Sequence, residues 1–290
     1  MKTLACLLVF GLASLARLGT QVSVEVVLEQ EHFLSGENLT AAVRITNRSG
    51  QTLHLGDEPD WLTFALETRD GMGIVAKNSE PSVLGPFTLE TTKVATRRVE
   101  LVPHFDITRA GRYSLTASVR IKEWDQTLTT KPKNFDIINA AKLWSQDFGV
   151  PAQGTTNRAP EVRNYTLEQA NYLRNQLRLY FRLTAADGAR VIKVFSLGPM
   201  VSFGIPDHQI DQASNLHVLY QNGAHSFSYT VINPDGEVIT RQTHDYAGTR
   251  PKLQLGENGQ LLVVGGVRRR TPDDVPEPGK SEEPVPPKKL

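Results

Sequence analysis

Between Arg112 and Ile121 the chain alternates without a break: Tyr113, Leu115, Ala117, Val119 and Ile121 are apolar, while Arg112, Ser114, Thr116, Ser118 and Arg120 are polar. A period of two places the first set on one face of an extended strand and the second on the other, a pattern that a helix would scatter around its circumference. The device recurs over residues 37–47, where Leu39, Ala41, Val43 and Ile45 alternate with Thr40, Arg44 and Thr46. Further strand segments lie at 23–29, 61–68, 94–102 and 134–138, punctuated by Gly, Pro, Asn and Asp. About six or seven such strands with no helical pattern predict an antiparallel sandwich over 22–138.

Residues 215–246 read as three successive strands. Leu216 to Tyr220 stops at Asn222-Gly223, which suits a tight hairpin turn. A second strand puts His225, Phe227, Tyr229 and Val231 on one face and turns at Pro234-Asp235-Gly236, and a third runs through 237–243. Upstream, Leu177, Leu179, Phe181 and Leu183 alternate with Arg178, Tyr180 and Arg182, turn at Asp187-Gly188 and return through 191–197. Asp187-Gly188 recurs 48 residues later as Asp235-Gly236, with Leu179, Phe181 and Leu183 matched by Phe227, Tyr229 and Val231. A second pair, Leu216-His217-Val218 and Leu261-Leu262-Val263, repeats at an offset near 45. The fold class expected is therefore all-β: an N-terminal sandwich, then a second antiparallel β domain, 162–268, of two related meanders that stays open or sandwich-like. A capping box at Thr166 to Gln169 leaves strand or short helix open over 166–175.

Two resemblances attach to these residues. Phe33-Leu34-Ser35-Gly36-Glu37-Asn38-Leu39 followed by Val43-Arg44-Ile45-Thr46-Asn47 resembles the opening strands of immunoglobulin-like and fibronectin-like modules of exported bacterial proteins. Ala110-Gly111-Arg112-Tyr113 resembles the corner at which a Tyr hydrogen-bonds back to the preceding loop. The resemblance implies an immunoglobulin-like sandwich, with Leu115 standing where antibody-type domains carry a disulfide cysteine. Residues 172–266 resemble propeller-type repeats in unit length, with room for about two units where a closed ring takes about four or more.

Lys2 and the apolar run from Leu4 to Ala16, ending in small residues, predict a signal peptide over 1–20 and hence export to the periplasm or beyond. The single cysteine, Cys6, lies inside that run. The exported chain would hold together by packing alone, without disulfides or a thiolate metal site. No later segment is apolar for long enough to span a membrane. A net charge of +1 gives no reason to expect a nucleic-acid partner. Residues 139–161, with Trp144 and Phe148, read as a linker with an aromatic hook packed between the domains. The Pro-rich, charged stretch 269–290 reads as a disordered tail. Asn38, Asn47 and Asn164 fit glycosylation sequons.

Motifs for chemistry are scarce. Gly71-Met72-Gly73-Ile74-Val75-Ala76 has dinucleotide-fingerprint spacing, but Asn, Ser, Pro and Gly follow where a helix must begin, so a hairpin turn is expected. No nucleophile-elbow or zinc-helix motif occurs. The candidate binding residues are Asp207, His208, Asp211, His217 and Arg250, with no catalytic or metal-ligating set and no cofactor expected. Arg250 is expected to bridge to Asp245 or Asp211, and 57–60 to form an ordinary solvated turn. The function expected is that of an exported, non-enzymatic binding or structural protein whose partner is an envelope or extracellular protein or glycan. Two alternatives are a glycan-active hydrolase using Asp207 and Asp211, and a proteinase inhibitor, since 47–71 resembles small bacterial inhibitor sandwiches.

Overall fold

A computed structural model describes residues 21–69, 73–83, 85–150, 161–173 and 176–275. The signal-peptide segment 1–20 and residues 276–290 of the tail lie outside the described residues. The described chain is nearly all strand, in several antiparallel sheets.

The N-terminal half contains β1 (Val22–Leu28), β2 (His32–Leu34), β3 (Thr40–Asn47), β4 (Leu53–Leu55), β5 (Leu62–Thr68), β6 (Gly73–Ile74), β7 (Phe87–Leu89), β8 (Val94–Glu100), β9 (Gly111–Ile121), β10 (Gln126–Thr129) and β11 (Lys133–Ile138). One sheet has the order β1-β3-β8, a second the order β2-β11-β9-β5-β6 with β10 on the flank of β9, and β4 and β7 form a small two-stranded third. Only β2 departs from antiparallel pairing, running parallel to β11. Alternation decides what lies between the sheets. Leu39, Ala41, Val43 and Ile45 are fully buried, as are Leu115, Ala117, Val119 and Ile121, and all join one apolar core with Leu62, Phe64 and Leu66 of β5. Leu115 sits opposite Leu66 in the β5–β9 register. Tyr113 opens β9 and its hydroxyl donates to the Arg109 carbonyl oxygen at 2.7 Å, tying the strand to the loop before it.

Gly73 pairs with Thr68, so β5 and β6 are antiparallel neighbours; residues 70–72, where the hairpin turn is expected, lie outside the described residues. The carboxylates of the 57–60 turn face cations: Glu58 is 3.0 Å from Lys122, and Asp60 is 3.5 Å from Arg120.

Asn47 is 0% exposed, and its side chain fastens two loops at once. Its amide donates to the carbonyl oxygens of Gln51 at 2.7 Å and Leu89 at 2.8 Å, and its own oxygen accepts from the Ser49 N–H at 3.0 Å. A sequon asparagine so enclosed is closed to a glycosyl donor in the folded state, whereas Asn38 is exposed.

The C-terminal half contains β12 (Ala141–Gly149), β13 (Val162–Leu173), β14 (Gln176–Ala185), β15 (Val191–Pro199), β16 (Asp207–Ile210), β17 (Leu216–Gln221), β18 (Ser226–Ile232), β19 (Val238–Asp245), β20 (Lys252–Leu255), β21 (Leu261–Val264) and β22 (Val267–Arg269). Three corrections to the sequence reading arise here. The expected linker 139–161 begins instead with β12, an edge strand paired along its length with β13. The Gly/Pro/Thr stretch therefore joins two neighbours in one sheet, closed by Val150 N–H to Glu161 C=O at 2.8 Å, and its residues 151–160 lie outside the described residues. Of the residues left open to strand or helix, 166–173 are strand, because β13 finds partners on both sides that a lone helical turn would lack; 174–175 lie outside the described residues. The expected tail 269–290 is structured at its start: Arg269 ends β22, and Val275 forms a β-bridge with Arg241.

The Trp144 and Phe148 hook is also corrected. Phe148 stacks on Tyr165 with centroids 3.8 Å apart, and Trp144 packs half-buried against the same core, so both serve one sheet pair and not a domain boundary.

Two meanders stack face to face, one ordered β12-β13-β14-β15 and the other β16-β17-β18-β19-β22. Tyr165, Leu167, Leu179, Phe181 and Leu183 of the first pack against Leu216, Val218, Tyr220 and Ile232 of the second. Two buried phenols reach across reciprocally: Tyr165 donates to the Ser214 carbonyl oxygen at 3.0 Å, and Tyr220 to that of Leu197 at 2.7 Å. The opposite face of the second meander carries Leu219, Phe227, Tyr229 and Val231, covered by the two-stranded hairpin β20–β21 through Leu253 and Val263. The sequence-matched triplets thus point the same way along the stack.

The two halves meet where Leu34 packs with Ala170, Tyr180 and Val194, beside Ile138 and Ala140. Gly36 is needed at this junction. Its φ is +82°, and a Cβ there would stand 3.0 Å from Val191.

Asn47→Ala leaves the buried Leu89 carbonyl and the part-buried Gln51 carbonyl without their donor and should cost about 2–4 kcal/mol, read from urea unfolding. Ser49→Ala, at the solvent-facing side of the same turn, should cost no more than about 1 kcal/mol.

Candidate functional site

The polar groups that converge lie on the outward face of the second meander. After β16 the chain turns at Asp211, with Ser214 N–H bonded to the Asp211 C=O and Ser214 at φ +63°. The Asp211 carboxylate organises that turn. One oxygen accepts the N–H groups of Ala213 at 2.9 Å and Asn215 at 2.8 Å; the other accepts the Asn215 side-chain amide at 2.9 Å. The second oxygen also faces His217 Nε2 at 3.1 Å, and His217 Nδ1 lies 2.7 Å from the Tyr229 hydroxyl.

This geometry fixes the proton order. An ionised carboxylate only accepts, so Nε2 of a neutral His217 carries the proton, and Nδ1 takes the Tyr229 hydroxyl proton as a hydrogen-bond acceptor. Burial alone would push the Asp211 carboxyl up, but the hydrogen bonds from Asn215 and His217 outweigh it and hold the group below the usual aspartate value. His217 and Tyr229 are both buried, and the edge of the Tyr229 ring meets His244 at a centroid distance of 6.4 Å. Burial, and after it the Arg268 charge, hold His244 below the ordinary histidine value.

His217 and Tyr229 line a cleft of about 620 Å³ between the second meander and the β20–β21 hairpin. Val231, Ile239 and Leu261 give it apolar walls, and Gln212, Asn258 and Gln260 bring amides to it. Its lining contains no Lys or Arg.

Of the residues singled out from sequence, Asp211 and His217 come together, and the other three stand apart. Asp207 is exposed at the start of edge strand β16, and it does not line the cleft that Asp211 lines. His208 places Nδ1 3.0 Å from the Pro206 carbonyl oxygen and its ring 4.3 Å from that of Trp144. Arg250 lies over the Phe227 ring at 5.4 Å, and Arg269 takes the Asp245 carboxylate at 2.8 Å, so the bridge expected of Arg250 is made by another arginine. Among the described residues no three His, Asp or Glu side chains gather as a metal site would require.

Tyr229 is the residue the sequence reading left in the core. Its signal lay in pairing: His217 opposes Val231, which puts Tyr229 one step along the same face.

The chain matches no family model and no curated protein sequence. Among solved structures, the sporulation control protein Spo0M from Bacillus subtilis aligns over 61% of this chain and 91% of its own, at 10% identity and a TM-score of 0.30, a likeness too slight to carry an argument.

The folded-state pKa of Asp211 lies below that of an unfolded aspartate, about 3.9. The stability it contributes is therefore complete above that value and is lost as pH falls through the folded value. Urea midpoints of Asp211→Asn should be lower than wild type at pH 7, and the gap should begin to close only as pH falls below about 3.9.

Proposed function

We propose that the protein is an exported two-domain binding protein, an immunoglobulin-like sandwich followed by a β-meander domain, which captures an envelope or extracellular protein. The observation that carries the reading is the connection between β15 and β16, where Phe203 is 99% exposed and Ile205 82% exposed. Both ends of that connection are fixed. Met200 is buried with its N–H on the Leu177 carbonyl, Val201 N–H bonds to Gln221, and Pro206 is buried. A Gly204 N–H to Val201 C=O bond at 3.1 Å closes the turn that holds Phe203 outward. Two large apolar side chains held in water on an anchored turn are preorganised for a recess on another molecule. Burying both is worth about 3–6 kcal/mol before the cost of association.

Export is supported by the charged start and apolar run of residues 1–20, and the immunoglobulin-like reading by two facing sheets with the Tyr113 corner. A protein partner is favoured over a glycan because the presented groups are Phe and Ile, which offer no hydrogen bonds to sugar hydroxyls.

The test is quantitative capture from an envelope extract, comparing wild type with the Phe203→Ser, Ile205→Ser double variant. Neither side chain packs inside the protein, so unfolding free energy should shift by no more than about 0.5 kcal/mol per site. The retained amount of any wild-type partner should drop at least about tenfold. Equal capture by both proteins would refute the reading.

A further inference from the structure

The Asp211, His217 and Tyr229 chain has the parts and spacing of an activated nucleophile: a hydroxyl on a base, and the base held by a carboxylate. Each link is within hydrogen-bond reach, 2.7 Å from phenol to imidazole and 3.1 Å from imidazole to carboxylate. The carboxylate is itself held by three N–H donors from Ala213 and Asn215, so the imidazole cannot rotate without losing both a fixed carboxylate and the Tyr229 hydroxyl. A structural network would satisfy the same atoms, but this one borders a cleft of about 620 Å³ whose walls are apolar with amide groups. With no cation in its lining, the cleft has nothing to attract an anionic substrate.

We propose that Tyr229 is the nucleophile of an acyl-transfer site that takes small uncharged esters. The phenol oxygen attacks the acyl carbonyl and the new O–C bond forms as the phenolic proton passes to His217 Nδ1. The resulting imidazolium is stabilised by Asp211. The ester C–O bond then breaks, the departing alcohol takes the proton from Nδ1, and Tyr229 is left acylated. Water, deprotonated by the same nitrogen, hydrolyses that aryl ester and restores the phenol with release of the carboxylic acid. Val231, Ile239 and Leu261 would receive the apolar part of the ester, and Gln260 and Asn258 its polar edge. This goes beyond the binding reading and stands on different residues, so loss of the Phe203 contact leaves it untouched.

The test uses the purified full chain with p-nitrophenyl acetate, following p-nitrophenol release and locating the acetyl group by peptide mass spectrometry. Of the seven tyrosines, Tyr229 should be acetylated first. Tyr229→Phe, which keeps the ring in the core, should abolish the burst, and His217→Gln should slow it about a hundredfold or more. Because His217 is buried, its variant could fail to fold, so Asp211→Asn supplies a second readout: it keeps the phenol and the imidazole, removes the charge that stabilises the imidazolium, and should slow the burst at least about tenfold. Acetyl groups spread over other tyrosines, a burst that survives Tyr229→Phe, or a folded Asp211→Asn that reacts at the wild-type rate would each overturn the proposal.

Discussion

Both faces of β17 and β18 are buried, and the architecture of the C-terminal half depends on that. Leu216, Val218 and Ile232 face one way, while Leu219, Tyr229 and Val231 face the other. A sheet with large apolar side chains on both faces cannot leave either in water, so it takes the first meander on one side and the β20–β21 hairpin on the other. The N-terminal half obeys a simpler rule: β3 and β9 each have one wet face, and two sheets suffice.

How legible the molecule was in its sequence follows from this difference. Single-faced strands announce themselves, and β9 was readable residue by residue because polar and apolar positions never trade places. The corner at Tyr113 was likewise legible, since a hydroxyl in an apolar row must find an acceptor nearby, and Arg109 supplies it. Edge strand β12 was not. Its side chains are mostly exposed, so it has almost no hydrophobic rhythm, and only pairing with β13 makes it a strand. At the next turn, Asn222-Gly223 suggested a two-residue hairpin. The connection is longer, with both N–H groups on the Ser226 carbonyl and Gly223 without a positive φ.

The candidate site shows the same division. Asp211 and His217 were visible as polar residues beside a strand. Tyr229 was hidden by its own regularity, because alternation with Phe227 and Val231 makes it look like packing. What converts it into a partner of His217 is the β17–β18 register, a long-range property that no window of sequence contains. Arg250 failed for the opposite reason. A cation has several carboxylates within reach of its loop, and which one it meets depends on how β22 joins the sheet and brings Arg269 to Asp245.

The shared direction of the matched triplets has an evolutionary consequence. Units that each offer the next an apolar face in the same direction make a series with no built-in terminus. Duplication of one meander between β19 and β20 would slide into register, bury its inner face on the old end and hand its outer face to the same hairpin. Chain length in such a lineage could grow by single duplications, with the β20–β21 ribbon acting as a transferable lid.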